Sequence, residues 1–84
     1  MVIHSNILSL ESSSDLERAA EIITARERDV LKLVAAEYST KEIAHLLYVS
    51  VHTIVSHRKR LMEKWKVKNT AGLVRIGFRS GVLQ

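Results

Sequence analysis

Three groups of side chains in this 84-residue chain have types and spacings that could do chemistry. His45, His52 and His57 could ligate a metal, but none has a carboxylate or cysteine partner at ligand spacing, and the chain has no cysteine. No metal, disulfide or cofactor is expected. Arg26 and Glu27 are types that catalytic sites use. Yet no Ser/His/Asp set, paired carboxylates or phosphate-binding glycine loop rises above chance, so an enzyme is not expected. The third group is "HRKR" and its continuation. Six Lys/Arg lie between Arg58 and Lys68, with Glu63 the one acid among them. Concentrated positive charge of this kind suits phosphate. A solvated surface would also carry such residues, and charge alone does not separate the two.

The charge is unevenly placed. Residues 1–22 carry four acids against Arg18, a balance of −3, whereas residues 23–84 carry twelve Lys/Arg against five Asp/Glu, a balance of +7. The division suggests an N-terminal arm or linker, partly helical, over 1–22 and one domain over 23–84. Nearly half the chain is apolar and proline is absent, which suits a compact bundle of short helices. No apolar run approaches the ~20 residues that span a bilayer. "MVIHSNILSL" lacks the features of a signal peptide, so a cytoplasmic protein with no membrane partner is expected.

Capping signals place the elements. Ser14 precedes Glu17 by three residues, the spacing of a capping box, which predicts a helix from Asp15 to about Ile22. Residues 2–10 fit a strand, a frayed helix or an arm equally. Thr24 with Glu27 and Ser39 with Glu42 repeat the box. Val30, Leu31, Val34 and Ala35 follow the first, and Ile43, Ala44, Leu46 and Leu47 supply a buried face after the second. Ser50 is an N-cap between two predicted helices, Thr40–Leu47 and Val51–Trp65. A separation of about three residues is that of a helix-turn-helix. Asn69 opens a last helix and Gly81 ends it.

Along "VSVHTIVSHRKRLMEKW", Leu61 and Trp65 each lie within ~20° of Ile54 at ~100° per residue. They face the core. His52, Val55, Ser56, Lys59 and Glu63 collect opposite. That outer face is short, adaptable and mostly non-acidic, as a helix lying in a DNA major groove requires.

"ITARERDVLKLVA", "STKEIAHLLYVSVHTIVSHRKRLMEKWKVKN" and "LVRI" resemble, in order and spacing, the LuxR-type (NarL/FixJ family) helix-turn-helix domain, over about Ile23–Val82. The resemblance implies an all-α four-helix bundle that binds double-stranded DNA as a homodimer, with RNA polymerase as a further partner and no small-molecule ligand in this segment. It implies base contact by Val55, Ser56 and Lys59. It implies phosphate contact by Thr53 and His52, a solvated side chain being the equal alternative for His52. Lys41 lies in the first turn of the helix that crosses the backbone, and Arg58, Arg60, Lys64, Lys66 and Lys68 of the basic cluster are phosphate candidates, some of them simply solvated. The last helix would form the dimer contact through Leu73, Val74, Arg75 and Phe78, unless that side only packs on the first helix. His57 is expected to be a packed, hydrogen-bonded histidine, Glu27 a cap and Arg26 part of an ion pair within the bundle.

Three departures stand out. Family members often have glycine at Glu37, asparagine at Thr40 and Leu-Gly at Trp65–Lys66. A non-glycine residue in a retained left-handed turn costs about 1–2 kcal/mol. The alternatives are the fourth region of a bacterial sigma factor, which the helix after Asn69 disfavours, and a protein-interaction module that has lost DNA binding, which the basic cluster disfavours. Residues 1–22 are too short for a receiver domain. The expectation is the effector part of a larger two-component response regulator, against a complete single-domain regulator.

Overall fold

The computed structural model describes residues 12–84, and its described residues form five helices and no strand. They are α1 (Ser13–Glu21), α2 (Ala25–Ala35), α3 (Thr40–Leu47), α4 (Val51–Trp65) and α5 (Thr70–Arg79). The all-α expectation is met, with α1 preceding the four helices of the bundle. The expectation for residues 2–10 lies outside the described residues.

Each helix begins where a short polar side chain accepts the N–H of the third helical residue. Ser12, Thr24, Ser39, Ser50 and Asn69 receive Asp15, Glu27, Glu42, Thr53 and Gly72 at 2.9–3.2 Å. At Thr24 and Ser39 the glutamate answers back, accepting the cap residue's own N–H at 2.9 and 2.8 Å. The exposed Glu42 carboxyl is thereby held below its ordinary pKa, by the backbone N–H and then the hydroxyl of Ser39. One start differs from the expected one. The cap of α1 is Ser12, whose hydroxyl donates to Asp15 Oδ2 at 2.6 Å, and not Ser14 with Glu17. Starting there puts Asp15 in the first turn, where a negative charge complements the exposed N–H groups.

The ends of α2, α3 and α4 share one geometry. Glu37, Tyr48 and Lys66 adopt left-handed backbone with φ of 69°, 58° and 54°. In each, the following residue reaches back five positions: Tyr38 to Leu33, Val49 to Ala44, Val67 to Met62, at 3.0–3.1 Å. The turns that the family commonly builds with glycine at Glu37 and Lys66 are therefore kept with L side chains in them.

Two apolar clusters hold the helices together. Ala19, Ile23, Leu31, Leu61, Trp65, Leu73, Ile76 and Leu83 form one, and Val30, Val34, Ile43, Ala44 and Ile54 the other. Helix α4 enters both, through Leu61 and Trp65 in the first and Ile54 in the second. Each of these three is fully buried, a contribution of roughly 1.5–3 kcal/mol for an aliphatic side chain. The spine expected from periodicity thus fixes the rotation of α4 about its axis. Leu46 was expected in the buried face of α3 but is 45% exposed. Ile43, Ala44 and Leu47 define that face, and Leu46 lies ~100° of helix rotation from its centre.

Candidate nucleic-acid interface

Helices α3 and α4 are joined by Tyr48, Val49 and Ser50. Val49 is half-buried against the second cluster, which draws the turn inward. Ser50 caps α4, and the Ser50 and Thr53 hydroxyls lie 2.9 Å apart. The first turn of α4 contains no acid.

With Ile54, Leu61 and Trp65 inward, the opposite face of α4 meets solvent. Val55 is 49% exposed, Lys59 is exposed and Ser56 is half-buried beside them. His52 is exposed and Thr53 half-buried. An exposed valine amid polar neighbours has no role in the monomer's core. Val51, at the first helical position, is also exposed, at 46%.

The basic residues divide into two sets. Lys41, in the first turn of α3, is exposed, as are Arg60, Lys66 and Lys68. Arg58 instead leans toward the start of α5 and donates to Thr70 Oγ1 at 2.6 Å. Lys64 is engaged within the fold: its Nζ lies 2.7 Å from Glu27 Oε1 and donates to the Ile22 carbonyl at 3.1 Å.

Glu27 is only 1% exposed. Burial alone would push its pKa up. The hydrogen bond from Lys64, the Thr24 N–H and the positive charges of Lys64 and His57 more than offset this, so its pKa is lowered. The cap that was expected of Glu27 is therefore half of its role. Arg26 finds its ion pair within its own helix. It reaches Asp29 at 4.0 Å, with both side chains about half-exposed, a contact of little worth.

Helix α1 is tied to this assembly through its last carbonyls, which a helix cannot satisfy internally. Trp65 Nε1 donates to Ala19 at 2.9 Å, Arg28 Nη2 to Ala20 at 3.2 Å and Lys64 to Ile22. Two of these three donors are cations at a helix C-terminus, where positive charge is favoured. Arg28 and the Lys64–Glu27 pair were missed as structural positions. The signal for Lys64 was its phase, ~80° from Ile54 and beside buried Trp65. His57 is half-buried as expected, but its Nδ1 is buried with no hydrogen-bond partner.

On α5, Leu73 is fully buried in the first cluster. It belongs to the monomer's core, and the outward side of α5 is formed by half-buried Val74, exposed Arg75 and Phe78 at 53% exposure. Among the described residues, no cluster of His, Asp and Glu could hold a metal ion, and no helix is long and apolar enough to cross a membrane.

A helix-turn-helix with this outward face is matched by a known family. Residues 21–76 fit the model of the luxR family of bacterial regulatory proteins. The chain belongs to that family. Membership makes it a DNA-binding transcription-regulatory domain and not a member of an enzyme class. Among its luxR-family relatives is the transcriptional regulatory protein MctR of Rhizobium johnstonii, 40% identical over 68 residues, which are 81% of this chain and 32% of MctR. The oxygen regulatory protein NreC of Staphylococcus carnosus is 37% identical over 74% of this chain and 29% of its own. NreC of Staphylococcus epidermidis is 35% identical over 89% of this chain and 33% of its own. The chain thus spans about a third of the length of these relatives.

Proposed function

We propose that this luxR-family chain is the DNA-reading part of a response regulator that acts in the bacterial cytoplasm, with α4 lying in the major groove. The observation that carries the reading is the outward face of α4, where Val55 and Lys59 stand exposed opposite a fully buried spine. In this arrangement Lys59 donates to guanine O6 or N7. Val55 meets a thymine methyl, and Ser56 bonds to either partner type. Lys41, His52, Thr53, Arg60, Lys66 and Lys68 contact phosphates along the groove edges, and Arg58 shares itself between Thr70 and the backbone. The N-terminus of α3 adds its unpaired N–H groups to the same strand.

Dimerisation through Val74, Arg75 and Phe78 would place two copies on two half-sites about one helical turn apart. The exposure of Phe78 supports this surface. RNA polymerase is a further proposed partner. The sequence relatives have regulatory names and about two thirds of their length beyond this match, which supports a regulatory input carried outside this segment.

The test is fluorescence anisotropy on random duplex DNA at two salt concentrations. Binding should weaken steeply with salt, and Arg60→Ala or Lys68→Ala should each flatten the log–log slope by about one. Absence of binding at low salt, with the dimer formed, would leave the protein-interaction reading in its place.

A further inference from the structure

Tyr48 stands apart from every other large apolar side chain in the described residues. It is 93% exposed, whereas the next, Phe78, is 53% exposed. Its backbone sits at φ 58° and ψ 42°, a region that an L side chain resists and glycine takes freely. Glu37 and Lys66 share that backbone, but neither holds an aromatic ring in water. No described residue bonds the Tyr48 hydroxyl. The ring contributes nothing to either core cluster. The fold therefore gives no reason for tyrosine here, and an unforced outlier of this kind points to use by a partner.

The partner follows from place. Tyr48 occupies the turn between α3 and α4, two residues ahead of the α4 cap Ser50. When α3 crosses the DNA backbone and the start of α4 enters the groove, the joining turn lies at the groove's edge, where phosphates line the way in. No acid occupies the first turn of α4 to repel them. We infer that Tyr48 is a further DNA-contact residue, its hydroxyl donating to a backbone phosphate beside the base-reading face. The inference rests on the DNA-binding reading above. A neutral donor of this kind adds affinity without sequence preference and without releasing a counterion.

The signature is distinctive, and anisotropy of the whole chain on random duplex DNA at two salt concentrations reads it. Tyr48→Phe should weaken binding by roughly five- to tenfold at both salts, leaving the salt slope unchanged. Tyr48→Gly should weaken binding at least as much while raising the melting temperature, since the strained backbone is relieved. Opposite movement of affinity and stability excludes unfolding as the cause. Tyr48→Phe binding within twofold of the unchanged protein would overturn the inference. If the unchanged protein shows no salt-dependent binding at all, the DNA-binding reading itself fails, an outcome distinct from a silent Tyr48→Phe.

Discussion

Replacing Lys64 with methionine isolates the contact that fixes the end of the reading helix. The methionine keeps most of the apolar stem and removes the ammonium. Glu27, 1% exposed, is then left as a buried carboxylate holding only the Thr24 N–H at 2.9 Å, with His57 nearby. Breaking a buried pair in this way costs about 3–5 kcal/mol. Because the Lys64 side chain is itself 31% exposed, water reaches its side of the pair, and about 3 kcal/mol is expected at pH 7. That is a large share of the total for a chain of this size, roughly 4–12 kcal/mol. It should lower the melting temperature by about 12–24 °C.

The same variant carries a pH signature. In the unchanged protein the Glu27 pKa is lowered, so its contribution is complete above the unfolded value, about 4.3, and is lost as pH falls through the folded value. Without Lys64, burial dominates and the folded pKa rises. The carboxyl then favours the fold below pH about 4.3 and opposes it above. The deficit of Lys64→Met should therefore shrink as pH falls from 7 to 3.5. Urea unfolding followed by Trp65, the single tryptophan, measures it. Glu27→Gln with Lys64→Met should recover most of the loss, since glutamine can still accept the Thr24 N–H. A deficit under about 1 kcal/mol, or one equal at both pH values, would refute the assignment of Lys64 to Glu27.

Other outcomes follow from the packing. Glu37→Gly should stabilise the fold by about 1 kcal/mol, because relief of left-handed strain exceeds glycine's entropy cost, and thermal melting should show it as roughly 4–8 °C. A Cβ on Gly77 would stand 2.5 Å from Leu83 Cδ1 and 3.3 Å from Leu31 Cδ2. Gly77→Ala should therefore displace Leu83 at a net cost of about 1 kcal/mol, and the cost should vanish in a Leu83→Ala background, a non-additivity that denaturation of the double variant detects. Phe78→Glu should leave the monomer folded and reduce dimer on DNA in sedimentation, since the side chain is already 53% exposed.

Much of this architecture was legible because its signals are local. Thr24, Ser39, Ser50 and Asn69 announce helix starts through their own side chains, and the spacing of Ile54, Leu61 and Trp65 sets the inward face of α4. The outward positions of Val55 and Lys59 follow by geometry once that spine is known. Misreadings fell where a residue's role depends on distant chain. Lys64 is 37 residues from Glu27 in sequence, and Trp65 reaches 46 residues back to Ala19. The phase of Lys64 sets it at the flank of the core, but no local pattern names Glu27 as its partner. The α1 cap was misplaced at Ser14 although Ser12, the cap in the structure, has an acid at the same spacing, so spacing alone does not choose between them. Leu73 looked available for a partner because α5 is apolar over most of its circumference, and only the fold decides which part is covered.

The central claim is that the outer face of α4 reads base edges. Selection of preferred duplexes from a random pool, run with the unchanged protein and with Lys59→Ala, tests it most directly. The account predicts that the unchanged protein enriches a defined site and that Lys59→Ala relaxes it at one guanine-containing position per half-site, leaving the remaining positions intact. Identical preferences for the two proteins, or no enrichment beyond the random pool by the unchanged one, would contradict it.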